Sequence, residues 1–242
     1  MLNDVHLILG RLKAVEDERQ LRSLDPDLAS RVNWVKRYQQ RRFSHTYMDL
    51  LQSARYGAAS SFFLEELYGP TDFAKRDTQF ARVVPALVRL FPQEIVDTVA
   101  TLTELHALSE TLDTEMGRHL ITEAEDAYSY ARAWQATGRQ ADRDRQINLT
   151  LMVAGELDAL TRRVLLRNSL RLMRGPARAA GLADLQQFLE KGFDTFRAMK
   201  GAAEFISMVE SRERSFSSAL FSTQLSTKGI VDISKLNLPE SS

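Results

Sequence analysis

The chain has 242 residues, of which 44% are apolar, enough to bury one large core or two small ones. Its 32 basic residues balance its 32 acidic residues, so the whole molecule has no charge bias towards nucleic acid or membrane. There is no cysteine, which excludes disulfides, thiolate nucleophiles and cysteine-ligated metal centres.

The N-terminus lacks the features of a secretory signal. Asp4 stands where a signal peptide carries positive charge, and the apolar run that follows is short. No stretch approaches the roughly eighteen apolar residues that a membrane-spanning helix needs. We therefore expect a cytoplasmic protein without a transmembrane segment.

Apolar residues recur at intervals of three and four along almost the whole chain, which predicts helices rather than strands. The predicted helices lie at about 3–22, 26–43, 44–51, 58–68, 73–91, 92–116, 122–136, 140–174, 182–199 and 202–221. Pro85 should kink or split the helix that contains it, because proline removes one backbone hydrogen bond. The prediction is an all-α, irregular bundle of about eight to ten helices over residues 1–222, with an irregular tail at 223–242.

The most distinctive motif is FFLEELYGP at residues 62–70. Its consecutive apolar residues favour a central position in the bundle, because the helix is apolar around most of its circumference. Gly69 and Pro70 should end that helix, and Asp72 is placed to cap the next one. Residues 58–91 are therefore predicted to form an inner helical hairpin.

The same motif resembles the signature of the FFLEELY-motif proteins, a bacterial family. The matching residues around it are Asp72-Phe73, Arg76-Asp77, Arg82, Pro85, and upstream Arg37-Tyr38-Gln39, Arg42-Phe43 and Thr46-Tyr47. A looser match later in the chain comprises Gly192-Phe193, Arg197-Ala198-Met199, Gly201-Ala202 and Glu204-Phe205. The resemblance implies a bacterial protein but no particular activity, substrate or cofactor.

Two opposite charges, Arg76 and Asp77, lean towards the apolar face of the predicted helix 73–91. One interpretation is structural: Asp77 pairs with an arginine of the 31–42 region, or Arg76 pairs with an acid elsewhere, and Asp77→Ala destabilises the fold. The other is a pocket for an anionic ligand, since the arginine fork suits carboxylate and phosphate. The residues assigned to this candidate site are Tyr38, Arg41, Arg42, Tyr68, Asp72, Arg76 and Asp77.

His106, Glu110 and Asp113 share one face of the predicted helix 92–116 and are the candidates for a metal site. Di-iron bundles use paired Glu-x-x-His motifs, and none occurs in this sequence. We therefore favour a hydrogen-bonded interior histidine and expect no metal and no other cofactor.

Charge is segregated along the chain. Residues 92–130 hold nine acids and one base, whereas residues 159–183 hold six arginines and no acid. An arginine stripe runs at helical spacing beside leucines, and it comprises Arg163, Arg167, Arg171 and Arg174. This stripe suits an acidic partner or an anionic membrane surface, or it is solvated or docked on the protein's own acidic helix. The lack of aromatic residues among these arginines argues against nucleic acid.

No catalytic residues are assigned, because the sequence contains neither a nucleophile elbow nor a glycine-rich phosphate loop. The leading hypothesis is a non-enzymatic helical module that contacts another protein or a second copy of itself. The alternative is a pocket protein or enzyme that binds an anionic or acyl-type small molecule near the FFLEELYGP turn. An enclosed cavity of several hundred Å³ with convergent polar groups would favour the alternative.

Overall fold

In a computed structural model of the chain, residues 2–66, 73–120, 126–223, 236 and 238–239 are described. Over these ranges the backbone forms twelve α-helices and no strand, which confirms the predicted all-α bundle. In chain order the helices are α1 (Leu2–Ser23), α2 (Pro26–Thr46), α3 (Met48–Leu51), α4 (Gly57–Glu66), α5 (Ala74–Leu90), α6 (Gln93–His119), α7 (Ala127–Thr137), α8 (Gln140–Thr161), α9 (Val164–Leu172), α10 (Arg174–Ala179), α11 (Ala183–Ala198) and α12 (Ala203–Ser222).

Two aspartates fix helix starts by local chemistry. The Asp25 carboxylate accepts a hydrogen bond from the Leu28 amide at 3.0 Å, and Pro26 occupies the first turn of α2. Asp126 does the same for α7, accepting from the Ser129 amide at 2.7 Å. Each carboxylate satisfies a backbone N–H that has no partner within its helix.

The helices are more numerous and shorter than predicted in one region. Residues 140–174, predicted as a single helix, are divided among α8, α9 and the first residue of α10. The backbone of Arg163 is extended between α8 and α9, and Pro176 lies in the first turn of α10, where proline is tolerated. By contrast α5 continues through Pro85 as one helix.

The longest helix, α6, lies at the centre of the bundle and packs against α1, α2, α5, α7 and α8. Its N-terminal half shares an apolar cluster with α1 and α5 that includes Ile8, Val84 and Val96. Its C-terminal end joins a second cluster with α2 and α7 around Met116 and Tyr130. Between these two apolar regions, one face of α6 carries His106, Glu110, Asp113 and Thr114, which belong to the candidate site described below.

The FFLEELYGP motif is buried at its start. Phe62 and Phe63 are 3% and 7% exposed, as the predicted inner position of this helix requires. Phe62 stacks on Phe188 of α11, and a Cβ on Gly192 would lie 3.0 Å from its ring, so glycine permits this close approach. The predicted turn at Gly69-Pro70 lies outside the described residues, and α4 and α5 each pack against α11.

The described part of the predicted tail contacts the core. Leu236 and Leu238 are 3% and 8% exposed in the same cluster as Tyr130, and the Tyr38 hydroxyl donates to the Pro239 carbonyl at 3.2 Å. At least these residues of the 223–242 segment therefore help to cover the bundle. The domain boundary at residue 222 stays a prediction.

Candidate functional site

Arg76 packs between two aromatic rings at the start of α5. Its guanidinium carbon lies 4.0 Å from the centre of the Phe73 ring and 4.3 Å from that of Phe188. Nη1 donates to the Glu66 carbonyl at 3.0 Å, and the Glu66 carboxylate lies 4.0 Å away. Burial lowers the pKa of Arg76, and the charges of Asp77 and Glu66 act against that effect. Arg76 therefore links α4, α5 and α11.

Asp77 points instead towards α1 and α6. Arg19 donates to its Oδ2 at 2.8 Å, and His106 Nε2 lies 2.9 Å from the same oxygen. Burial acts to raise the pKa of Asp77, but the hydrogen bond and charge of His106 and the charge of Arg19 outweigh it and lower the pKa. Asp77 therefore pairs with an arginine, but with Arg19 of α1, so the prediction of an arginine from the 31–42 region is wrong. The other predicted alternative, Arg76 with an acid elsewhere, corresponds to the 4.0 Å approach of Arg76 to Glu66. Residue spacing predicts which face of α5 carries Asp77. It does not predict which helix packs against that face, because that depends on tertiary packing.

Glu110 lies one turn further along α6 and is the most heavily coordinated of these acids. Arg22 donates to Oε2 at 2.7 Å and Lys36 donates to Oε1 at 2.8 Å. Arg22 also donates to the Thr114 hydroxyl at 2.9 Å, while that hydroxyl donates to the Glu110 carbonyl at 3.0 Å. Burial would raise the pKa of Glu110, but the charges of Lys36 and Arg22 lower it to about 2.

Asp113 closes the layer on the α2 side. Gln39 donates to its Oδ1 at 2.9 Å, and the Lys36 ammonium lies 4.0 Å from Oδ2. Burial raises the pKa of Asp113, and the adjacent charge of Glu110 adds to that effect. We call this set the polar layer; it comprises Arg19, Arg22, Lys36, Gln39, Asp77, His106, Glu110, Asp113 and Thr114.

The three candidate metal ligands are members of the polar layer and contact other side chains of the same chain. His106, Glu110 and Asp113 lie in one row on α6, but each contacts a different set of charged or amide groups from α1, α2 and α5. Among the described residues there is no cluster of three or more histidine or acidic side chains with metal-binding geometry. The arrangement is that of a buried ion network joining four helices.

Three further residues of the predicted anion site are described, and they contact other groups than Arg76 and Asp77. Tyr38 stacks on Trp34 and Tyr130, and Arg41 lies over the Tyr38 ring at 5.2 Å. Arg42, only 4% exposed, pairs with Glu213 of α12. Tyr68 and Asp72 lie outside the described residues.

A pocket lies between α2, α4, α7, α8 and α12. Its volume is about 70 Å³, and its polar lining includes Arg42, Arg143, Tyr47 and Glu213. The Tyr47 hydroxyl donates to Glu213 at 2.6 Å, and Arg143 stacks over the Trp134 ring at 3.9 Å. Such a space is well below the roughly 300 Å³ typical of sites for drug-sized ligands.

The predicted arginine stripe is broken and largely paired. Arg163 and Arg174 lie at helix ends, so only Arg167 and Arg171 share α9, and the prediction of one continuous helical stripe is wrong. Arg163 pairs with Glu94 of the acidic α6, Arg167 with Asp194 at 3.0 Å, and Arg174 with Glu190. One sequence-based alternative is that the stripe docks on the protein's own acidic helix. Of the four arginines, Arg163 makes such a contact.

Residues 171–176 are all exposed. Leu172 is 80% exposed and Met173 49% exposed, and Leu189 on the neighbouring α11 is 39% exposed. We call this region the α9–α10 surface; it comprises Arg171, Leu172, Met173, Arg174 and Arg178. Two consecutive large apolar side chains bordered by arginines are unusual on a surface that contacts only water.

Sequence reasoning missed the cations of α1. Arg19 and Arg22 follow Val15 at four and seven residues, so they continue the apolar row of Ile8, Leu12 and Val15. A charge in line with a core-facing row must find a partner, and this spacing was the available signal.

Comparison with protein-family models places the chain in a family. The model described as Domain of unknown function (DUF8198) matches residues 18–227. The chain belongs to this family. Comparison with curated proteins and with solved structures gave no significant match. Across the ranges that the structure describes, no helix is both long enough and apolar enough to cross a bilayer.

Proposed function

We propose that this chain is a non-enzymatic helical module that contacts another protein through the α9–α10 surface. The observation that carries the proposal is the exposure of Leu172 and Met173 among Arg171, Arg174 and Arg178. Burying these two side chains in an interface removes apolar area from water, which is the main favourable term in protein association. The arginines favour a partner with an acidic rim.

The interior charges support a module rather than an enzyme. Asp77, Glu110 and Asp113 are engaged by cations or amides of the same chain. Their contacts join α1, α2, α5 and α6, so the polar layer acts as a structural connector in this proposal. A general acid or base, in contrast, must reach a substrate proton from its position in a cleft.

The small pocket bears on the alternative function. Phe63 of the FFLEELYGP motif lines it together with Arg42, so an anionic small molecule near the motif is the second candidate. A space of about 70 Å³ suits a few water molecules or a small anion better than an acyl chain. We therefore rank this candidate below the interaction module.

The proposal extends to source and location. We infer a bacterial, cytoplasmic protein from the FFLEELY signature. The balanced charge favours protein partners over nucleic acid.

Crosslinking capture with matched baits tests the proposed function. Three baits are compared: the unmodified chain, Leu172→Ser/Met173→Ser, and Leu24→Ser, which alters an 87% exposed leucine away from the α9–α10 surface. We expect a protein that the unmodified chain and Leu24→Ser capture equally and that Leu172→Ser/Met173→Ser loses. If the crosslinked protein is a second copy of the chain, and the crosslinks are lost with Leu172→Ser/Met173→Ser but kept with Leu24→Ser, the chain self-associates through this surface. Capture that is insensitive to the double substitution would overturn the assignment of this surface.

A further inference from the structure

An open cleft lies where the C-terminal ends of α8 and α11 meet. It has a volume of about 320 Å³, and its lining includes Asp158, Arg162, Arg197 and Lys200, with the Phe196 ring as an apolar wall. This volume falls within the range of small-molecule sites in proteins. The cleft is separate from both the polar layer and the α9–α10 surface.

The charged side chains of this cleft differ in whether they have partners within the chain. The Asp158 carboxylate accepts from the Ala202 amide at 3.1 Å through Oδ1 and pairs with Arg162 through Oδ2, so both of its oxygens are used. Arg197 and Lys200 make no side-chain hydrogen bond or ion pair with any residue that the structure describes. Apart from the partial negative charge at the C-terminus of α11, these two cations therefore have no counter-ion among these residues.

The backbone at Lys200 adds an independent observation. Lys200 has φ +54°, a left-handed conformation that glycine or asparagine adopts at a helix end with less steric cost. Gly201 follows with φ +112°. The backbone at this position therefore carries a steric cost that Lys200→Gly would remove.

We propose that this cleft binds a phosphate-type anion. The planar guanidinium of Arg197 suits two phosphate oxygens, and the Lys200 ammonium supplies a further charge-assisted hydrogen bond. The ligand is a phosphorylated small molecule or the headgroup of a phospholipid, which share this chemistry. Because the side chains are exposed, binding should be weak and should decrease as salt rises.

Calorimetric titration of the full chain with inorganic phosphate at low salt tests the proposal. We expect saturable binding that Arg197→Gln and Lys200→Gly each weaken by about tenfold, the effect of losing one charge-assisted hydrogen bond. Lys200→Gly also removes the left-handed backbone cost, so its melting temperature should not fall. This combination separates a binding role of Lys200 from a structural one.

Charge-matched controls and vesicles complete the test. Arg89→Gln and Arg132→Gln remove exposed arginines elsewhere and should leave the affinity unchanged within about twofold. Co-sedimentation with phosphatidic acid vesicles that free phosphate reverses would identify a headgroup; phosphate binding without vesicle binding would identify a small molecule. Absent or non-saturable phosphate binding, or equal weakening by the controls, would overturn the site. Because these variants leave the α9–α10 surface intact, they should still capture the protein partner.

Discussion

The same residue type occupies two opposite environments in this molecule. Arg22 of the polar layer is 8% exposed and contacts Glu110 and Thr114, whereas Arg171 of the α9–α10 surface is exposed at the end of a peripheral helix. A buried charge needs its partners, because desolvation costs several kcal/mol if they are removed. An exposed charge costs almost nothing and is free for intermolecular use. Arginine content alone therefore does not locate a functional surface.

The largest expected effect is on the buried side of this comparison. Glu110→Ala leaves Arg22 and Lys36 without their shared carboxylate, and we expect a loss of about 3–5 kcal/mol in the free energy of unfolding. Chemical denaturation measures the loss. Glu115→Ala is the control, because Glu115 on the same helix is partly exposed and pairs with Arg118 three residues later, so it should change stability by less than about 0.5 kcal/mol. Similar losses for both variants would contradict a structural role for the polar layer.

The pH dependence of stability sharpens the same point. The pKa of Glu110 is lowered from an ordinary 4.5 to about 2 in the folded state. The contribution of this carboxylate to the free energy of unfolding is therefore fully present above pH 4.5 and is lost as the pH falls towards 2. The shift corresponds to roughly 3 kcal/mol. Asp77 contributes in the same direction, since its pKa is also lowered, whereas Asp113 opposes them because burial raises its pKa.

Urea unfolding at pH 7 and at pH 3 checks this expectation. The unmodified chain should lose stability at pH 3, and Glu110→Gln should lose less between the two pH values, because its side chain does not titrate. An equal decrease for the two proteins would show that Glu110 is not the group responsible.

A smaller effect concerns the packing that holds α2 against α6 beside the polar layer. A Cβ on Gly117 would lie 2.5 Å from Val32 Cγ2, so Gly117→Ala should cost about 1–3 kcal/mol by overpacking. Gly155→Ala in α8 meets no atom within 4 Å and should stabilise the protein by up to about 1 kcal/mol through helix propensity. Thermal unfolding of the two variants should therefore shift in opposite directions, and a shift in the same direction would contradict the close contact at Gly117.

Much of the helical architecture could be predicted, because apolar spacing and capping are local properties. Asp25-Pro26 marks the start of α2, and the predicted segment 73–91 matches α5 to within a residue at each end. The break between α8 and α9 carries no such signal, since Arg162 and Arg163 are neither glycine nor proline. That break places Arg163 before the first turn of α9, and the junction of α9 with α10 separates Arg174 from Arg167 and Arg171.

The candidate site was predicted only in part, for a physical reason. Spacing along α5 and α6 correctly placed Asp77, His106, Glu110 and Asp113 on inward or flanking faces. The partner of each acid depends on which helices meet, and periodicity contains no information about that choice. The cations of α1 entered the site because α1 packs along α6.

One pair of substitutions tests the comparison of the two arginine environments most directly. Arg22→Met and Arg171→Met make the same chemical change, one inside the polar layer and one on the α9–α10 surface. Measured by urea denaturation at pH 7, Arg22→Met should lose roughly 3 kcal/mol and Arg171→Met less than about 0.5 kcal/mol. Equal losses, or a stable Arg22→Met variant, would contradict a polar layer in which buried arginines stabilise the bundle while Arg171 on the surface does not.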